Sequence, residues 1–354
     1  TWFAWRPAAR TRCRLHRVGL GAAPTPPALA LTAVPPTVRR MELNDRVVVV
    51  TGAGSGIGES IARAAHAAGA RHVVVADLNG AEADRVASEI GGTAVAIDVR
   101  DESAIIEMVE STLDAHGPID LFVSNAGFVT AAGLEDSNEA IQTMWEVHCM
   151  AHIYAARAVL PSMIARGEGY LLNTASAAGL LTQIGSMAYS MTKAAAVSLA
   201  EWLAISHHHQ GIRVSVLCPQ AVATNIVANS PDNRAAREAS GDDAAAAFEG
   251  GVASGDGVLD PAEVAAMCLD AIRDERFLIL PHPEVATYVE RKATDRDLWL
   301  ACMRRFQSAL HPDSDLPCNA IAPRTGQHGS HPSSPAESDR DAVECLTDAH
   351  DCDL

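Results

Sequence analysis

The chain predicts an α/β fold, a doubly wound parallel sheet in one domain. Short apolar, β-branched runs recur along it, each bounded by turn residues, as strands buried on both faces do. Helical stretches of ten or more residues separate these runs, so consecutive strands run parallel and helices cover both faces. Residues able to do chemistry fall just beyond the strand ends, where such sheets bind ligands.

The first strand is Arg46-Val-Val-Val-Val-Thr51. It runs directly into Gly52-Ala-Gly-Ser55-Gly56-Ile57-Gly58, and then into a helical stretch from Glu59. Strand, glycine loop and helix, in that order, are the context a dinucleotide fingerprint needs. The glycines permit a tight turn and close backbone approach. The helix N-terminus offers free N–H groups and a positive dipole end to a pyrophosphate.

The second strand, His72 to Asp77, ends on an acid 19 residues after Gly58. A carboxylate there meets adenosine ribose hydroxyls and repels the extra phosphate of NADP. Ser55 and Leu78, the neighbouring places for a phosphate-binding cation, are uncharged. NAD is therefore expected over NADP; the alternative is that Asp77 only caps the next helix. Thr93 to Ile97 is the third strand and leads to Asp98 and Val99. Asp98 either bonds near the adenine or makes a plain turn.

Glu102 to His116 is an amphipathic helix, and Ile119 to Ser124 is the fourth strand. That strand ends in Asn125-Ala126-Gly127, small residues that let the backbone approach a flat cofactor. A long helix is predicted from about Asn138 to Arg166, then a fifth strand, Gly169 to Thr174. Another helix runs to about Gln210. Arg213 to Cys218 is the sixth strand, followed by Pro219, and Phe277 to Leu280 is the seventh.

Ser176 follows the fifth strand, and Tyr189-Ser-Met-Thr-Lys193 lies 13 residues further on. A Tyr and a Lys four apart share one helix face. An ammonium there favours the ionised phenol, which otherwise titrates near pH ~10. With its pKa lowered, the Tyr can exchange a proton with an alcohol oxygen, and Ser176 can hydrogen-bond that oxygen.

On these residues the chain resembles the short-chain dehydrogenase/reductase family, from about Leu43 to Gln307. The resemblance implies a one-domain Rossmann-like fold with a seven-stranded sheet, and hydride exchange between a nicotinamide and a secondary alcohol or ketone. It implies that Tyr189 is the acid/base, that Ser176 positions the substrate oxygen, and that Lys193 lowers the Tyr pKa and binds the nicotinamide ribose. Thr224, five after Pro219, matches a residue that contacts the nicotinamide carboxamide. Homodimers or homotetramers are implied too, through the long helix before Ser176 and the helix of Tyr189.

Two positions depart from the family pattern. His148 stands where an Asn usually holds a water linking the Lys to solvent; a His holds a water, relays protons, or disturbs the helix kink. Gln220 replaces the Gly after Pro219 and does not take positive φ cheaply. The alternatives to an NAD-linked dehydrogenase are an NADPH-dependent ketone reductase and an NAD-binding regulatory or scaffold protein with impaired catalysis.

The net charge of −17 argues against nucleic acid or an anionic membrane as partner. The eight cysteines, at 13, 149, 218, 268, 302, 318, 345 and 352, show no zinc spacing, which suits reduced thiols and a cytoplasmic location. No metal is expected: His207-His208-His209 closes a helix, where His suits the dipole. Residues 1–40 carry seven Arg and no acid. They read as a transit-like leader or as translated upstream sequence ahead of Met41. Residues 41–310 make the cofactor-binding domain, and 311–354 an acidic tail expected to be disordered. The segment at about 225–259, with apolar Leu180, Leu181, Ile184 and Met187, is expected to shape a pocket for a medium-sized hydrophobic substrate.

Overall fold

A computed structural model describes residues 41–130, 132–226 and 255–310. Seven strands form one sheet: β1 Val47–Thr51, β2 His72–Asp77, β3 Thr93–Ala96, β4 Leu121–Ser124, β5 Gly169–Thr174, β6 Ile212–Leu217 and β7 Leu278–Ile279. Their order is β3-β2-β1-β4-β5-β6-β7, and every neighbouring pair is parallel. The winding reverses between β1 and β4, so a crevice opens beyond their C-terminal ends.

The helices are α1 Gly56–Ala67, α2 Gly80–Ile90, α3 Glu102–His116, α4 Asn138–Trp145, α5 Ala151–Arg166, α6 Ala177–Leu181, α7 Met187–His207, α8 Pro261–Arg273, α9 Glu284–Thr294 and α10 Arg296–Leu310. The valines of β1 show why the sheet is covered twice. Val47 and Val49 pack with residues of α3, α5 and α7, whereas Val48 and Val50 pack with residues of α1, α2 and α8. All four are fully buried, as alternating side chains of a two-faced strand must be.

Polar residues set the ends of these elements. Asn79 and Asp101 cap α2 and α3, and Asp260 with Glu263 forms a capping box on α8, whose first residue is Pro261. At the N-terminal ends of the strands, away from the crevice, buried Asp120 accepts from Arg46, Arg166 and the Val47 N–H. This joins the starts of β1 and β4 to the end of α5.

The seven strands and their sequence agree with expectation. The fourth and seventh are shorter than the apolar runs that predict them, because pairing begins at Leu121 and covers only Leu278 and Ile279. The expected long helix is interrupted by a π-helical turn, Glu146–Met150, carrying His148. Helices α9 and α10 are additional elements. Residues 1–40, 227–254 and 311–354 lie outside the described residues, with the leader, most of the substrate segment and the tail. The two stems of that segment meet in a parallel bridge, Val222 to Leu259.

Candidate active site

A cleft of about 1270 Å³ opens beyond the C-terminal strand ends. Its walls include Gly52, Ser55, Gly56, Ile57, Asp77, Asp98, Val99, Asn125, Ala126 and Gly127, and then Ser176, Tyr189, Lys193, Pro219 and Thr224. Of the residues expected from the chain, Gly58 and His148 are set back from its surface, and of the apolar residues expected to shape the substrate pocket Leu181 lines it whereas Leu180, Ile184 and Met187 do not.

The glycine loop is built for close approach. Gly52 has φ 63°, and a Cβ there would lie 2.7 Å from the Ala126 Cα. A Cβ on Gly58 would lie 2.1 Å from the Gly52 carbonyl oxygen. Gly56 lies against the Thr224 side chain. Ser55 precedes α1 in extended conformation and its side chain caps nothing, so the first helical N–H groups face the cleft without a side-chain partner. This cradle fits an anionic dinucleotide.

Asp77 accepts from the Gly54 N–H at 2.9 Å and from the Asn79 N–H at 2.9 Å. Its carboxylate thus braces the loop while still lining the cleft. The cations nearby are engaged: Arg85 pairs with Glu59, Glu82 and Glu89, and Arg100 grips Asp98. Asn125, just after β4, ties β1 to β5 by donating to the Thr51 and Gly52 carbonyls and accepting from Thr174 Oγ1.

Lys193 is 2% exposed; its ammonium donates to the Thr174 carbonyl at 3.1 Å and lies 5.6 Å from the Tyr189 ring centroid. Burial lowers the Lys193 pKa to about 8. Burial raises Tyr189 to about 12, against a hydrogen bond with Ser176 that pulls it down. Desolvation opposes charge on either group, so the neutral phenol is the resting form at neutral pH. Ser176 Oγ donates to the Pro219 carbonyl and accepts from the Ala178 N–H.

His148 is fully buried at the π-turn. Nε2 accepts from the Phe128 N–H at 3.3 Å, so the ring proton of the neutral imidazole sits on Nδ1. That atom lies 2.9 Å from Thr192 Oγ1, which in turn donates to the Tyr189 carbonyl at 3.1 Å. Both nitrogens are spent on protein partners. Burial first, then Lys193 and His152, hold its pKa well below the usual histidine value.

His152 lies one turn further along. Neither of its ring nitrogens has a hydrogen-bond partner among the described residues, and burial, with Lys193 second, lowers its pKa to about 3. The unfolded chain protonates this ring near pH ~6.5, so the folded chain binds fewer protons below that pH. Stability present above pH ~6.5 is therefore lost as pH falls toward about 3, on the order of 2 kcal/mol by pH ~5. Replacing His152→Leu should flatten the fall of Tm between about pH 7 and about pH 5. An unchanged slope would show that the ring is not the titrating group.

Some lining residues go beyond those expected. Trp299, Met303 and Phe306 of α10, Tyr288 of α9, Asp256 and Phe128 all face the cleft. Positions 299, 303 and 306 form an i, i+4, i+7 apolar stripe, a signal that reads equally well as core. Gln220 avoids positive φ, which among described non-glycine residues occurs only at Asp45, Thr182 and Glu275. No cluster of three or more His, Cys, Asp or Glu suited to a metal occurs among the described residues, nor a helix long and apolar enough to cross a membrane.

The family model described as short chain dehydrogenase matches residues 46–235. The chain belongs to this family. The 1-deoxy-11-beta-hydroxypentalenate dehydrogenase of Streptomyces exfoliatus is 32% identical over 253 residues, 69% of this dehydrogenase and 86% of the relative. The meso-2,3-butanediol dehydrogenase of Serratia marcescens is 34% identical over 195 residues, 54% and 77% of the two chains. Among solved structures, a short chain dehydrogenase/reductase from Burkholderia phymatum in complex with NAD superposes with TM-score 0.63 at 29% identity. It covers 73% of this chain and 96% of its own. The short-chain dehydrogenase described here is thus an NAD(P)-family oxidoreductase acting on CH–OH and keto groups.

Proposed function

We propose that this enzyme oxidises a medium-sized hydrophobic secondary alcohol, reversibly, with NAD. The observation that carries this reading is the convergence of Ser176, Tyr189 and Lys193 on the cleft that holds the glycine loop and Asp77. The bound dinucleotide supplies the hydride acceptor. Gly52, Ser55, Gly56, Ile57 and the α1 N-terminus would hold its phosphates, Asp77 would take its ribose hydroxyls, and Thr224, which lies against Gly56, would contact the nicotinamide carboxamide. Val99, Asn125, Ala126 and Gly127 line its path, with Asp98 at the rim. Tyr189, in its phenolate form, takes the hydroxyl proton and becomes the phenol, Ser176 hydrogen-bonds the same oxygen, and the Lys193 ammonium stabilises the phenolate before that transfer. His148 acts as a positioning residue, fixing the Tyr189 backbone through Thr192 rather than passing the proton.

The acidic lining at Asp77 and the paired state of Arg85 and Arg100 support NAD over NADP. Asp77→Ala should raise NADP affinity relative to NAD by about tenfold or more, read by fluorescence titration of both cofactors. A wild-type enzyme that prefers NADP would favour the rival ketone reductase. A wild-type enzyme that forms no NADH from any alcohol in a broad panel would favour the scaffold reading.

Self-association follows from α7, where Met191, Ala194, Trp202 and Ile205 stand exposed along one face, Ile205 at 80%. Such a stripe suits a partner helix; a monomer mass by light scattering would count against it. Buried thiols at Cys149, Cys218 and Cys268, none in a disulfide, suit the reducing cytoplasm.

A further inference from the structure

The cleft has a second polar feature, away from the tyrosine and lysine. Asp256 lines it, with one donor on each carboxylate oxygen: Gln220 Nε2 lies 2.6 Å from Oδ2, and the Tyr288 hydroxyl lies 3.0 Å from Oδ1. A carboxylate accepts about four hydrogen bonds, so each oxygen keeps capacity. Burial, then the adjoining Asp256, hold the Tyr288 phenol protonated and therefore a donor. No Lys or Arg among the described residues pairs with Asp256.

The position of this carboxylate is fixed relative to the reacting groups. The Gln220 N–H donates to His282 Nδ1 at 3.2 Å, and Gln220 follows Pro219, whose carbonyl receives Ser176 Oγ. Apolar side chains at Trp299, Met303 and Phe306 share the cleft wall. A donor on a ligand in this cleft could use the acceptor capacity that the carboxylate keeps.

We propose that Asp256, aimed by Gln220 and Tyr288, is a specificity-determining acceptor selecting apolar secondary alcohols or ketones that carry a second hydroxyl group. This rests on the oxidoreductase reading above. The substrate class is then a compact hydrophobic skeleton with two polar points. One reacts at Ser176 and Tyr189, and the other donates to Asp256. A second carboxylate in place of that hydroxyl is repelled.

The test is a binding comparison that needs no turnover. Monohydroxy and dihydroxy versions of the same cyclic and linear skeletons are titrated calorimetrically into the Tyr189→Phe protein saturated with NAD, with and without Asp256→Ala. The dihydroxy member should bind about tenfold tighter with Asp256 present, the scale of a hydrogen bond to a charged acceptor. That advantage should shrink to about onefold in Asp256→Ala. Where Asp256→Ala does not fold, Asp256→Asn, of equal size, should cut the advantage several-fold. Equal affinities with Asp256 present, an advantage that survives its loss, or no dihydroxy binding at all would overturn the proposal. So would equal weakening of both members, which would make Asp256 a brace for the loop. Failure of the oxidoreductase reading shows separately, as no NADH formed by the wild-type protein, and leaves the affinity ratio readable.

Discussion

Tyr189→Phe should lower kcat for alcohol oxidation by about 100- to 10,000-fold, the usual contribution of a positioned acid/base. It removes one oxygen from a ring that keeps its packing beside His148, whose ring centroid lies 5.5 Å away. The glycine cradle and Asp77 are untouched, so NAD affinity should stay within about threefold of wild type. Steady-state kinetics and cofactor titration measure the two effects, and turnover near the wild-type level would sink the assignment of Tyr189. The wild-type pH profile gives an independent check. Because burial keeps the Tyr189 proton on, oxidation, which needs the phenolate, should accelerate as pH rises above neutrality. Ketone reduction, which consumes the proton, should slow over the same range.

Gly58→Ala should weaken both cofactor binding and the fold. The added methyl would lie 2.1 Å from the Gly52 carbonyl oxygen and 2.5 Å from the Asn125 side-chain nitrogen. Neither can retreat cheaply, because Asn125 joins β1 to β5 through Thr51, Gly52 and Thr174. The start of α1 must therefore move off the loop. Overpacking of this kind costs about 1–3 kcal/mol. Displacing the N–H groups that face the cleft should cost at least tenfold in NAD affinity. Thermal unfolding and cofactor titration check both effects, and native affinity would show that α1 adjusts without disturbing the cradle.

Much of this architecture is legible in the chain because two-faced strands leave a plain mark. Val47 to Val50 and Val73 to Val75 are continuous apolar runs that only a doubly covered sheet explains. The glycine loop is equally plain, since Gly52 and Gly58 stand where a Cβ would collide and Gly56 holds a positive φ against Thr224. The π-turn at Glu146–Met150 is not legible, because one extra residue per turn leaves no compositional trace. Nor is the role of His148, whose partners Phe128 and Thr192 are 20 and 44 residues away. Asp256 and Tyr288 meet across 32 residues, and no local pattern announces that meeting. Helices α9 and α10 show ordinary amphipathic spacing, which does not say whether the apolar face closes a core or a ligand cleft.

Lys292 of α9 donates to the carbonyl of Leu180, at the end of the short helix that begins just after Ser176. Through this contact the C-terminal helices, which hold none of the Ser176–Tyr189–Lys193 set, are fastened to the segment that presents Ser176. Substitutions at Tyr288, Trp299, Met303 or Phe306 would recut the cleft wall without altering Ser176, Tyr189, Lys193 or the glycine loop themselves. Laboratory evolution toward new alcohols would accordingly find its most permissive ground after about residue 280, in a stretch that sequence motifs pass over.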